Sequence, residues 1–288
     1  MDEISKTIRQ MKAQHPSSGG GEFSYRDYAE DPERAAKEEA ARYNALKVEP
    51  KDGIYCNLCY NREMFARAVR GEGMFRNTWY VEHIYCSCVK KRAAQSKRRA
   101  SGMEEALTNV GEFTATEEWQ QIILTKARQF TAQTDSRCFF IGGQSGTGKT
   151  HISTLICREL IELGHALLYK KWVDMVDKLT DFHNEDKDRL LEDVTGVKVL
   201  YIDDLLKPSG GAFNSREVRA TFDIIDRRYS RRDSITVISS ELTLEQIRGI
   251  DEATARRIDE MAGEYVLNIS KDPNKIYRAV ERRYDSPF

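Results

Sequence analysis

The sequence predicts an α/β protein whose main domain is built on a parallel five-stranded sheet, with a smaller unit of different make ahead of it. Three observations predict this. From Cys138 onward, short apolar runs alternate with helical patterns, the order that a doubly wound sheet requires. A glycine-rich string, Gly142 to Thr150 (GGQSGTGKT), lies between the first apolar run and the first helix. Two cysteine pairs, Cys56-x-x-Cys59 and Cys86-x-Cys88, stand ahead of both.

Length and composition bound the rest. A chain of 288 residues has room for one sizeable α/β core and a smaller accessory region. Charged residues make up 32% and the formal net charge is −1, so no global field draws the chain to nucleic acid or membrane, and such binding must be local. No apolar run approaches the ~18 residues of a membrane span, and the start, MDEISKTIRQ, lacks the apolar core of a signal peptide. A cytoplasmic protein with no membrane partner is expected, its six cysteines reduced rather than paired in disulfides.

Residues 1–50 read as a flexible or helical leading segment. Ile4, Ile8 and Met11 share one face of a short helix, and Ser17 to Gly21 read as a flexible break. Asp31-Pro32 is a cap and first-turn pair that opens a charged helix through Ala35, Ala36, Ala40 and Ala41, polar nearly all round and therefore expected to lean on the next unit. That unit, residues 51–103, is expected to be a zinc-binding module. Cys56, Cys59, Cys86 and Cys88 are the four-thiolate set that Zn²⁺ prefers, and four protein ligands leave no open position for water, so the site reads as structural. His83 is expected beside the site rather than in it. The basic run Lys90 to Arg99 reads equally as a phosphate-neutralising patch or a solvated linker helix.

The main domain is placed at 104–288. Thr114-x-x-Glu117 reads as a capping box, opening a helix that buries Trp119, Ile122, Ile123 and Phe130. Strands are expected at Cys138–Ile141, His165–Tyr169, Val197–Ile202, Ser234–Ile238 and Tyr265–Ile269, with helices near 149–162, 171–182, 214–229, 243–249 and 252–261. Gly164 marks the end of the first helix.

The string Gly143 to Thr150 matches G-x-x-x-x-G-K-[ST], the loop whose backbone N–H groups wrap the phosphates of a nucleoside triphosphate. Gly143, Gln144, Ser145, Gly146, Thr147, Gly148, Lys149 and Thr150 are the candidate nucleotide-binding residues, Lys149 reaching the terminal phosphates and Thr150 holding Mg²⁺. The run VLYIDD places Asp203 and Asp204 at a strand tip, where Asp203 is assigned to the metal and Asp204 to orienting the attacking water. Ser239, Ser240 and Glu241 end the fourth strand, and Ser240 is the candidate for sensing the γ-phosphate. Arg256 and Arg257 lie on a helix beyond it. A second basic cluster, Arg227 to Arg232 with Tyr229 inside it, reads either as a single-strand contact or as a solvated helix end.

The phosphate loop, VLYIDD, ISSEL and ATARRIDEM, in that order, resemble the AAA+ core of the DnaC/DnaI-type replicative helicase loaders, and the cysteine module followed by KKR and SGM is similar to the amino-terminal zinc region of phage-type members. The resemblance covers about residues 50 to 270. It implies a core without a carboxy-terminal helical lid and an ATPase, with ATP, Mg²⁺ and Zn²⁺ as cofactors. It also implies a hexameric DnaB-type helicase and single-stranded DNA as partners, and self-assembly through the ATP sites. Arg257 matches the arginine that reaches a neighbour's ATP, with Arg256 beside it as the rival. Where many members end the fourth strand in Ser-Asn, this chain has Ser240-Glu241. The alternative reading is an IstB-type transposition helper acting on duplex DNA, whose ATPase core is similar.

Overall fold

The computed structural model describes residues 30–51, 53–133, 137–181, 185–207 and 214–277. Ile4, Ile8, Met11 and the Ser17–Gly21 break lie outside them. The chain divides into two compact units, Met1–Val89 and Lys90–Phe288.

The first unit is a helix on a hairpin. Helix α1 (Pro32–Ala45) starts as its sequence implies, with the Asp31 carboxylate accepting from the Arg34 N–H at 3.0 Å and Pro32 in the first turn. Its Ala35, Ala36 and Ala40 are buried. Strands β1 (Met64–Arg70) and β2 (Trp79–Tyr85) pair antiparallel, Met64 opposite Tyr85 and Arg70 opposite Trp79. The helix is pinned to the hairpin by Asn44, whose Nδ2 donates to the Ala66 carbonyl at 2.7 Å while its Oδ1 accepts from the Ala66 N–H at 2.9 Å. A helix with so little apolar surface is stable only when docked in this way.

The division between units falls inside the span read from sequence as the zinc module. Helix α2 (Ser87–Ala100) begins with the second cysteine pair, but beyond Val89 its residues belong to the second unit, where Ala94 joins the core. In that unit the Ser101 carbonyl accepts from the Tyr169 N–H at 2.8 Å.

The second unit contains α3 (Glu104–Asn109), α4 (Glu118–Ala132), β3 (Cys138–Gly143), α5 (Lys149–Glu162), β4 (Leu167–Lys171), α6 (Trp172–Thr180) and α7 (Lys187–Gly196). It continues through β5 (Val199–Asp203), α8 (Ser215–Ser230), β6 (Ile235–Ser240), α9 (Leu244–Ile250), α10 (Glu252–Ala262) and β7 (Val266–Ile269). The strands form one parallel sheet in the order β4-β5-β6-β3-β7. Both faces are covered. Phe139, Ile141, Tyr201 and Val237 point into one apolar layer with Ile123, Phe130, Ile152 and Ile156, while Phe140, Leu200, Ile202 and Ile238 point into the other with Trp172, Met175, Ile224 and Ile258. That is why the strands read as continuous apolar runs rather than alternating ones.

Helix α5 stops in a Schellman arrangement. Gly164 sits at φ +93°, its N–H bonded to the Ile161 carbonyl, and the His165 N–H reaches the Leu160 carbonyl. Two expectations about α4 need correcting. It begins at Glu118, not Thr114, because the Gln120 Oε1 accepts the backbone N–H groups of Thr116 and Glu117 and so moves the cap one residue triplet later. Ile122 is not buried but 52% exposed, whereas Ile123 and Phe130 are enclosed. Helices α3 and α7 were not foreseen: α3 is one and a half turns long, and α7 shows few apolar positions, with Val194 alone fully buried.

Candidate functional site

In the second unit the phosphate loop joins the tip of β3 to α5, between β6 and β7. Gly143, at φ +117°, must be glycine: a Cβ there would meet the Ile269 carbonyl oxygen at 2.0 Å. Gly148, at φ +83°, lies so close to Phe113 and Tyr277 that a Cβ would press on both rings. These two rings stack on each other, 4.5 Å between centroids, and close the outer side of the loop. The segment after β7 runs along the loop as well. The Tyr277 N–H donates to the Gly146 carbonyl at 2.9 Å, and the Gln144 side chain donates to the Asp272 carbonyl at 3.0 Å while accepting from its N–H.

Lys149 is buried and folds back over the loop, its Nζ donating to the carbonyls of Gly143 (2.9 Å) and Gln144 (2.7 Å). Burial pushes its pKa down, opposed by the charges of Glu241, Asp204 and Asp203 and reinforced by that of Lys207. Thr147 donates to the Gln144 carbonyl. Thr150 Oγ1 lies 3.4 Å from Asp203 Oδ1, a separation that two ligands of one small hard cation span. The residues thus fit Mg²⁺.

Asp203 is buried at the tip of β5 within a ring of hydroxyls. Tyr201 donates to its Oδ1 at 2.8 Å, Ser239 donates to the same oxygen, and Tyr169 donates to Oδ2 at 3.1 Å. Burial beside this carboxylate raises the pKa values of both tyrosines, so they remain donors. None of the three hydroxyls was named as a site residue from sequence. Tyr201, two residues before Asp203 on the same strand face, had a readable signal. Ser239 and Tyr169 become neighbours only through the β4-β5-β6 order.

Asp204 takes a left-handed backbone at φ +57°, and its carboxylate pairs with Lys207 at 3.1 Å. Lys207 also meets Glu241 at 3.2 Å. Ser240 is engaged elsewhere: its hydroxyl donates to the Leu205 carbonyl at 2.7 Å and accepts from the Leu242 N–H at 3.0 Å, fully buried. Ser239, not Ser240, faces the acid pair. A cavity of about 590 Å³ opens from Gln144 and Ser145 to Leu206, Glu241 and Leu242. The structure therefore brings together the loop, Asp203, Asp204 and Glu241, but not Ser240. Arg257 is also engaged elsewhere, ion-paired with Asp226 and lying 5.2 Å from the ring centroids of both Phe222 and Tyr229 on α8. Arg256 is more exposed and meets Glu260 one turn on.

Both basic clusters are partly spent inside this unit. Lys97 donates to the Gly164 carbonyl at the end of α5, Arg98 pairs with Glu162, and Arg99 meets Glu104 at 3.4 Å. Arg228 is fully buried, donating to Thr236 Oγ1 and to the carbonyls of Val194 at the end of α7, Val197 just before β5 and Ile235 at the start of β6. Burial lowers its pKa to about 10, leaving it charged at neutral pH. Arg231 donates to the Thr195 carbonyl and pairs with Asp233. In the Arg227–Arg232 cluster, read from sequence as either a single-strand contact or a solvated helix end, Arg228 and Arg231 thus act as a structural clamp, while Arg227 and Arg232 are exposed.

In the first unit the Sγ atoms of Cys56, Cys59, Cys86 and Cys88 lie within 4.8 Å of one another. The Cys56–Cys86 and Cys59–Cys88 pairs are 3.9 and 3.5 Å apart. These bracket the edge of about 3.8 Å that Zn–S bonds of ~2.3 Å would give a tetrahedron. The first pair sits on a tight knuckle. Tyr60, Asn61 and Glu63 all have positive φ, and the Asn61 side chain accepts from the Cys56 N–H at 2.7 Å while donating to the Val48 carbonyl. Cys86 leaves β2 with its N–H on the Glu63 carbonyl. The Cys59 backbone N–H holds the Cys56 thiol down to about 6, which favours the thiolate a metal needs. His83 is exposed and packs edge-on against Tyr43, outside the cluster. The remaining cysteines, Cys138 and Cys157, are buried in the second unit with thiols pushed up by burial.

Sheet order, phosphate loop and acid pair define an AAA+ P-loop ATP-binding core. The chain belongs to the family of IstB-like ATP binding proteins, whose sequence profile matches residues 77–255. It is similar to the phage-like element PBSX protein XkdC of Bacillus subtilis (strain 168), 26% identical over 251 residues that cover 82% of this chain and 86% of that one. Replicative helicase loader DnaC of Escherichia coli (strain K12) is 29% identical over 147 residues, 49% of this chain and 58% of that one. The uncharacterized protein YqaM of Bacillus subtilis (strain 168) is 35% identical over 134 residues, 45% of this chain and 42% of that one. The chain thus spans less than two thirds of the length of DnaC and of YqaM. Among the described residues no helix is long and apolar enough to cross a membrane.

Proposed function

We propose that this protein is an ATPase that loads a hexameric DnaB-type replicative helicase onto single-stranded DNA in the cytoplasm. The observation that carries the reading is the pairing, in one chain, of an assembled phosphate-loop site with a separate four-cysteine unit. Similarity of the ATP-binding part to a replicative helicase loader supports it.

In this reading Gly143 to Thr150 hold the triphosphate. Thr150 and Asp203 would hold Mg²⁺, which neutralises charge on the phosphates when bound. Tyr201, Tyr169 and Ser239 fix the Asp203 carboxylate in place, and Asp204 orients the attacking water. Cys56, Cys59, Cys86 and Cys88 hold Zn²⁺ as a structural ion. Arg257 completes the ATP site of an adjacent subunit, exchanging Asp226 for phosphate, so turnover depends on assembly. An arginine supplied in this way is worth about 10³–10⁵ in rate.

Two measurements test the reading. Native mass spectrometry of the protein with the DnaB-type helicase of its own host or phage, in ATP and Mg²⁺, should yield a defined complex; its absence sinks the loader assignment. Arg257→Ala should leave ATP affinity within about twofold while abolishing the partner-stimulated rate. The description of the matching family favours a second reading, an IstB-type helper on duplex DNA. ATP-dependent assembly on duplex DNA, without a helicase complex, would select it.

A further inference from the structure

The γ-phosphate end of this site has a charge problem. Asp203, Asp204 and Glu241 converge on it, and all three repel a phosphate unless a cation intervenes. The fourth strand has no donor to spare: the Ser239 hydroxyl is spent on Asp203, Ser240 is consumed by Leu205 and Leu242, and an ionised Glu241 is an acceptor only. Yet the loop after β5 brings a cation to that spot. Asp204 and Leu206 adopt positive φ, +57° and +53°, and for a side chain as large as leucine this is a strained conformation. Leu205 and Leu206 are both buried in the core, and the Leu205 N–H is tied to the Ser239 carbonyl at 2.8 Å, so the turn is held in place. Its outcome is that Lys207, whose N–H closes on the Asp204 carbonyl, points its ammonium back between Asp204 Oδ2 (3.1 Å) and Glu241 Oε1 (3.2 Å). Glu241 itself faces the cavity that begins at Gln144 and Ser145 of the phosphate loop.

We propose that Lys207 is a second lysine, beside Lys149, that contacts the terminal phosphate of bound ATP, and that Glu241 is the residue that positions it. The inference rests on the ATP site described above and adds a residue to it. Lys207 has a flexible stem and a half-exposed side chain, so its ammonium can pass from the Asp204 carboxylate to the phosphate without leaving Glu241. That exchange frees Asp204 to act on water only when a triphosphate is present. Glu241, at the position where a neutral amide would donate directly, serves instead through the lysine it holds.

The test is a titration of the full chain with fluorescent ATPγS and ADP in Mg²⁺, alongside steady-state ATPase kinetics. Lys207→Met should weaken ATPγS binding about ten- to hundredfold while leaving ADP binding, which also reports the fold, within about twofold. Glu241→Gln should lower kcat more than it raises KM, again with ADP affinity preserved, and Lys207→Arg should recover part of the triphosphate preference. An unchanged ATPγS-to-ADP ratio in Lys207→Met overturns the proposal. So does loss of the ratio in Lys271→Met alone, since Lys271 is the lysine that lines the cavity itself, whereas Lys207 reaches it through Glu241. Lys149→Ala separates the two levels: if it binds both nucleotides like the wild type, the ATP site itself is misassigned, whatever Lys207 does.

Discussion

The two units of this chain hold together in opposite ways. The second buries two continuous apolar layers, one on each face of its sheet, with Phe139, Phe140, Trp172, Ile224 and Ile258 among the fully enclosed side chains. The buried cluster of the first consists of Cys59, Cys86 and Cys88, packed by Cys56, Phe65 and Val89, and α1 adds only alanines. Apolar side chains are left outside instead, Met74 at 93% and Tyr85 at 70% exposure. A unit that small cannot offset its ordering entropy by burial alone, and in the proposed reading an ion held by the four cysteines supplies the rest. Where the second unit uses area, the first would use ligands.

Breaking that comparison starts with the metal. Chelation, or Cys59→Ser, should unfold the first unit, because an ion held by four thiolates contributes about 10–16 kcal/mol to domains of this kind. Limited proteolysis should then cut within 30–89 while ATP affinity stays unchanged; survival of that region without metal would refute the contrast. Next in size, Arg228→Met should cost the second unit about 3–5 kcal/mol, since it leaves the Val194, Val197 and Ile235 carbonyls buried without their donor. Chemical denaturation followed by the ATP-binding signal measures it, and a loss below about 1 kcal/mol would mean the clamp is ornamental. Ile123→Ala, in the layer between α4 and the sheet, should cost about 2–4 kcal/mol. Its sequence neighbour provides the smallest effect: Ile122→Ala should change stability by no more than about 0.5 kcal/mol, because that side chain already faces water.

Legibility followed the range of the interactions. The capped start of α1, the turn at Gly164, the strand, loop and helix around Gly143 to Thr150 and the spacing within each cysteine pair are all written in residues within a few positions of one another. They were readable because backbone conformation and short metal-ligand loops are local properties. Helix α4 was misread because Thr114 and Glu117 satisfy the capping pattern as well as the pair that operates; only the bonds from Gln120 select the true start. The basic clusters stayed open in the sequence for a related reason. Charge is visible in sequence, but whether an arginine meets solvent or a buried carbonyl is not.

By itself, then, the sequence determined the class of the core, its phosphate loop, its acid-bearing strand and the spacing of its four cysteines. Each is a short motif whose chemistry depends on spacing alone. Tertiary structure decided which groups converge on Asp203, that Ser239 rather than Ser240 faces it, that Glu241 is occupied by Lys207, and that Arg257 rests on Asp226. Those contacts join strands and helices tens of residues apart, and their partners are set by the order β4-β5-β6-β3-β7. That order follows from packing apolar layers on both faces of one sheet, which no single stretch of the chain encodes.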